Sequence, residues 1–178
     1  MTNREKAWEV LGKYVQEQAL VRHCEAVEAA MRAYAVKYGG DVEYWGAVGL
    51  LHDVDFQLYP HEHPHHADEL LIPHGYSDEF ITDIKSHARD WVPERTILQK
   101  VLFAVDELTG FVIACALVRP DKSIANLEFK SVRKKLKDGA FARAINRDTI
   151  MAGAAMLELD LQEHTEFVIK ALAEGFEK

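Results

Sequence analysis

Along most of the chain, apolar residues recur at the three- and four-residue spacing of an amphipathic helix. Ala7, Val10, Leu11, Tyr14 and Val15 mark a first helix, and Leu20, Cys24, Val27, Ala30, Met31 and Tyr34 mark a second that stops at Gly39-Gly40. A third begins near Asp41 and carries Trp45, Val48 and Leu51 to His52. The connection from Asp55 to His63 is polar, rich in histidine and interrupted by Pro60, so an exposed loop is expected there, and Pro64 suits the first turn of the next helix. Ser77, followed by Asp78 and Glu79, is expected to cap a helix with Phe80, Ile84 and Ala88 on one face, ending before Pro93. The longest apolar segment, Thr96 to Val118, is apolar nearly all round and predicts a central buried helix. Beyond Pro120 the chain turns basic at Lys130, Arg133, Lys134, Lys135 and Lys137, then returns to helical patterns at about 147–159 and 163–176. No alternating segment is long enough to demand a strand. The expected fold class is all-α, a helical bundle.

The bulk properties narrow this picture. A chain of 178 residues with scattered prolines, no Ser/Gly-rich stretch and no repeat is expected to form one domain spanning 1–178. A net charge of −8 argues against a general nucleic-acid binder, because affinity for the phosphate backbone comes from clustered Lys and Arg. It leaves room for a small phosphorylated ligand. The N-terminal residues lack signal-peptide character, and no apolar run reaches membrane-spanning length. Cys24 and Cys115 both sit in helical apolar patterns, as buried thiols of a reducing compartment do, so the cytoplasm is the expected location.

The candidate chemistry lies in polar residues that interrupt apolar stripes. His23 precedes Val27 by four positions, and His52 follows Trp45 and Val48 by seven and four, so both imidazoles face the core. Asp53 stands beside His52, and Asp106 lies in the middle of the most apolar helix. Burying an ionised aspartate without a partner costs several kcal/mol, so a cation or a strong hydrogen-bond network must be at hand. Each residue alone has an ordinary explanation: a satisfied core histidine, a helix-ending aspartate, an aspartate bonded to backbone. Together, two imidazoles and two carboxylates from three apolar helices make a ligand set for a divalent transition metal.

In their order along the chain these residues resemble the HD-domain phosphohydrolases, whose pattern is His, then His-Asp, then a distant Asp. The matching stretches are Val21-Arg22-His23-Cys24-Glu25-Ala26-Val27, Gly49-Leu50-Leu51-His52-Asp53 and Phe103-Ala104-Val105-Asp106-Glu107, within about residues 20–118. The resemblance implies an HD-like helical bundle with extra C-terminal helices at about 121–178, in which His23, His52, Asp53 and Asp106 bind metal. The stretch from Ala104 to Asn146 looks like a bacterial subgroup of small HD hydrolases. Family members with two metals carry two further histidines between the His-Asp pair and the last Asp. His63-Pro64 resembles the first of these insertions, with His66 the first alternate, and Ile84-Lys85-Ser86-His87 resembles the second. His61 and His65 are expected to be exposed loop residues, and His74 and His164 have no supporting pattern.

The resemblance thus implies a metal-dependent phosphohydrolase, with one or two divalent ions drawn from Mn, Fe, Co, Ni and Zn, acting on a small phosphoester or nucleotide. If two ions lie about 3.5 to 4 Å apart, Asp53 is the natural bridging carboxylate, and with His52 it forms the expected catalytic pair around a metal-activated water. Lys130, Arg133, Lys134 and Arg147 are candidates for holding phosphate oxygens, although a solvated basic helix face is the more ordinary reading of the cluster. The same ligands could instead hold two irons that activate dioxygen, or serve a nucleotide-binding module without turnover. Oligomeric state is open at this level.

Overall fold

A computed structural model describes residues 3–177 and bears out the all-α expectation, with no strand among the described residues. The chain runs through α1 (Asn3–Tyr14), α2 (Gln18–Tyr38), α3 (Val42–Leu51), α4 (Ala67–Leu71), a short 3-10 turn (Ile72–His74), α5 (Asp78–Lys85), α6 (Ile97–Leu117), α7 (Phe129–Leu136), α8 (Arg147–Met156) and α9 (Leu161–Gly175).

Local chemistry sets the boundaries. Gly39 ends α2 with φ of 70°, a conformation that suits a residue without Cβ, and its N–H returns to the Ala35 carbonyl. Two residues on, the Asp41 carboxylate accepts from the N–H groups of Glu43 and Tyr44 and starts α3. Ser77 caps α5 as its sequence suggested, and Thr96 forms a reciprocal capping box with Gln99 at the start of α6.

The packing of α3 on α2 places the chemistry. Gly49 has no side chain where α3 crosses α2; a Cβ there would lie 2.9 Å from Met31 Cγ and 3.0 Å from the Val27 carbonyl. That close approach holds the C-terminal end of α3, and so His52, against the middle of α2. On its other side α6 is covered by α8, where Gly153 sits against the Ala104 backbone. Buried apolar residues from α1 to α9 form one contiguous cluster around α2, α3 and α6.

The connection after α3 is exposed over Phe56–Leu58 and Pro60–Glu62, as expected, but its two ends are not: Val54 and Asp55 are fully buried, and Pro64 and Ala67 are buried where the segment folds back. Asp55 organises this return, accepting from the Nδ1 of His63 and the backbone N–H of His66. Pro64 consequently lies in the turns ahead of α4, not in its first turn. Among the described residues no helix is long and apolar enough to cross a membrane.

Candidate metal centre

Six side chains converge from five parts of the chain. α2 supplies His23, the end of α3 supplies His52 and Asp53, and α6 supplies Asp106. His63 arrives on the connection after α3, and His87 on the turn after α5. His23 Nε2 lies 3.0 Å from Asp106 Oδ1 and 3.2 Å from His52 Nε2. His63 Nε2 lies 3.0 Å from Asp53 Oδ1 and 2.9 Å from His87 Nε2. Asp53 is common to both groups: its Oδ1 is 3.3 Å from His52 Nε2 and 3.7 Å from His87 Nε2, while Oδ2 is 3.6 Å from His23. The arrangement therefore has two lobes, His23-His52-Asp106 and His63-His87, joined by one carboxylate.

Three of the four rings are oriented from behind. His52 Nδ1 donates to the Gly49 carbonyl at 2.8 Å, His87 Nδ1 to the Ile84 carbonyl at 2.5 Å, and His63 Nδ1 to the Asp55 carboxylate at 2.5 Å. A neutral imidazole whose proton is on Nδ1 presents a lone pair at Nε2. In that neutral form three lone pairs and the carboxylates of Asp53 and Asp106 face one another at about hydrogen-bond distance, which is repulsive unless something positive, a proton or a metal ion, lies among them. Imidazole nitrogen and carboxylate oxygen are the donors that divalent transition metals prefer, and the bonds behind the rings are those that orient metal-binding histidines. The donor set fits a metal.

The electrostatics agree. Burial works against charging His52, but Asp53 and Asp106 outweigh it and raise its pKa to about 8. His63 shows the same contest, with Asp53 and Asp55 raising it to about 10. Burial pushes His87 down to about 4. Burial also opposes ionisation of Asp53 and Asp106, yet the imidazoles facing them hold both well below the ordinary carboxylate range.

Comparison with known proteins bears on the same segment. The HD domain family model matches residues 20–110, a span that opens in α2 and closes just beyond Asp106. This chain belongs to the HD domain family. No curated protein and no solved structure matches it. HD-domain proteins form a superfamily of metal-dependent phosphohydrolases, and the His/Asp cluster here could hold the metal.

The HD centre opens into a cavity of about 690 Å³. Of the loop histidines, His61 and His65 line its mouth, whereas His66 is turned aside, bonded to Glu62 and Glu69 and stacked on Tyr59. His74 bonds to Tyr14, and His164 lies in the core between Tyr34 and the Ala104 carbonyl.

The four candidate phosphate-binding residues are not brought to the HD centre. Lys130 and Arg133 line a separate hollow between α7 and α9, and Lys134 lines neither. Arg147 is occupied structurally: its guanidinium donates to the carbonyls of Asp138, Phe141, Ala142 and Ile145 and lies over the Phe111 ring, clamping the connection between α7 and α8. In their place the structure puts Arg89 and Glu107 on the cavity wall, and Asp55 behind His63. Sequence reasoning missed all three. Asp55, two positions after Asp53, carried a signal as a second carboxylate next to the His-Asp pair; Arg89 carried none.

Proposed function

We propose that this protein is a metal-dependent phosphohydrolase acting on a small phosphoester or nucleotide. The observation that carries the reading is the shared carboxylate: Asp53 stands between two groups of histidines whose Nε2 lone pairs point inward. His23, His52, Asp53 and Asp106 would hold one divalent ion, and His63, His87 and Asp53 a second. Such ions supply Lewis acidity, acidifying water and neutralising charge that builds on a phosphoryl group.

The chain's own residues supply position. The bonds from Nδ1 of His52, His63 and His87 lock ring orientation before any ligand arrives, so little reorganisation accompanies reaction. Asp53, ionised and standing between the two groups of histidines, would accept a hydrogen bond from the attacking water and fix its direction. The cavity is sized for a small molecule, and the acidic surroundings of the centre disfavour a long polyanion.

The test is metal analysis of anaerobically purified protein beside a screen of phosphomonoesters, phosphodiesters and nucleotides. The expected result is roughly one or two equivalents of a first-row divalent metal and metal-dependent release of phosphate. Protein that binds none of manganese, iron, cobalt, nickel or zinc, or iron-loaded protein that consumes dioxygen and releases no phosphate, would overturn the reading.

A further inference from the structure

A phosphoryl group entering the cavity meets the carboxylates of Asp53, Asp106, Glu107 and Asp90. Among the described residues that line the cavity, Arg89 is the one Lys or Arg. Its guanidinium is held at one corner: Nη2 donates to Glu107 Oε1 at 2.6 Å, and no other hydrogen bond is made by its remaining N–H groups in the described contacts. Glu107 is itself fixed, because its second oxygen accepts the backbone N–H of Asn146, the residue that caps α8. The segment bearing Arg89 is also pinned. Arg95 donates to the carbonyls of Ser86 and Ala88 at 2.9 and 2.8 Å while lying over the Phe103 ring of α6.

As a structural ion pair this contact contributes little, since the Arg89 side chain is 60% exposed. As a device for an anion it is well formed. A guanidinium has five donors in a planar fork that matches two phosphate oxygens, and here one corner is anchored while the rest stays available. We propose that Arg89 binds the substrate's phosphoryl oxygens and that Glu107 is its positioning residue, an assignment that rests on the phosphohydrolase reading above. The cationic role expected of Lys130, Arg133, Lys134 and Arg147 thereby falls to a residue on the turn after α5.

The test uses the full-length, metal-loaded protein with its best phosphoester substrate and inorganic phosphate as competitor. Arg89→Ala should raise KM and the inhibition constant for inorganic phosphate by about tenfold or more, with metal content and melting temperature unchanged. Arg89→Lys should recover part of the loss, and added guanidinium ion should partly rescue the alanine variant. Glu107→Gln should shift KM in the same direction by less. Unchanged KM and unchanged phosphate inhibition in Arg89→Ala would overturn the assignment. Should the wild-type protein hydrolyse no phosphoester, the phosphohydrolase reading fails separately. Calorimetric binding of inorganic phosphate then decides the role of Arg89: weaker binding by the alanine variant supports it, and equal binding by both proteins removes it.

Discussion

Asp53 is the residue on which both lobes of the centre depend, since its carboxylate lies 3.3 and 3.6 Å from the imidazoles of His52 and His23 on one side and 3.0 and 3.7 Å from those of His63 and His87 on the other. Replacing it by alanine is expected to lower activity by at least about a hundredfold and to reduce metal content, the largest effect of any single change at the centre. His87→Ala should instead retain about one equivalent of metal through His23, His52, Asp53 and Asp106 while activity falls sharply; full metal content with full activity would make His87 a core histidine and the centre mononuclear. Asp55 acts one step back. Asp55→Ala frees His63 to rotate and to carry its proton on either nitrogen, so a loss of about 10- to 100-fold in metal affinity is expected, measured by competition with a chelator and accompanied by altered His63 ring signals in nitrogen NMR. The difference in legibility between these residues is physical. His23, His52 and Asp106 betray themselves because a polar side chain within an apolar helical stripe must be buried and therefore partnered. Asp55 and Arg89 stand in irregular segments, where a polar residue is unremarkable until the chain's path is known.

At the level of helices, periodicity was informative because helices such as α1, α8 and α9 bury residues at three- and four-residue spacing, and the caps Asp41, Ser77, Thr96 and Asn146 obey ordinary side-chain chemistry. What periodicity does not convey is separation. Gly49 and Gly153 read in sequence as weak points of helices, yet in the fold they are where α3 meets α2 and α8 meets α6 most closely. Gly153→Ala would set a methyl group 2.6 Å from Ala104 Cα, a backbone atom that cannot swing aside. The helices must part, at a cost of about 1–3 kcal/mol, to be read as a lower urea midpoint. Because Ala104 is two residues from Asp106, the same variant should also hold metal less tightly. The folded-back segment after α3 was the element least visible beforehand, since its order comes from contacts with one buried carboxylate and not from any repeating pattern.

Across the molecule, His164 joins three helices: Tyr34 of α2 donates to its Nδ1, and its Nε2 donates to the Ala104 carbonyl of α6. Burial keeps this ring neutral and its pKa below the ordinary imidazole value; the Ala104 carbonyl opposes the shift and Lys37 adds to it. In the unfolded chain the ring takes up a proton near pH 6.5, so the contribution of His164 is fully present above about that pH and is lost as the pH falls toward the lower folded value. Denaturant midpoints measured from about pH 7.5 to 5 should therefore decline, and the slope should be shallower in His164→Gln. The same bond has a consequence for where the gene can be cut. The family match stops at residue 110, inside α6, while the groups that cover α6 and satisfy its Ala104 carbonyl lie in α8 and α9. The stretch matched by the family is thus shorter than the stretch over which α6 is covered. A polypeptide ending at residue 118 should aggregate when produced alone, and production together with a second polypeptide of residues 119–178 should return it to the soluble fraction as a noncovalent pair.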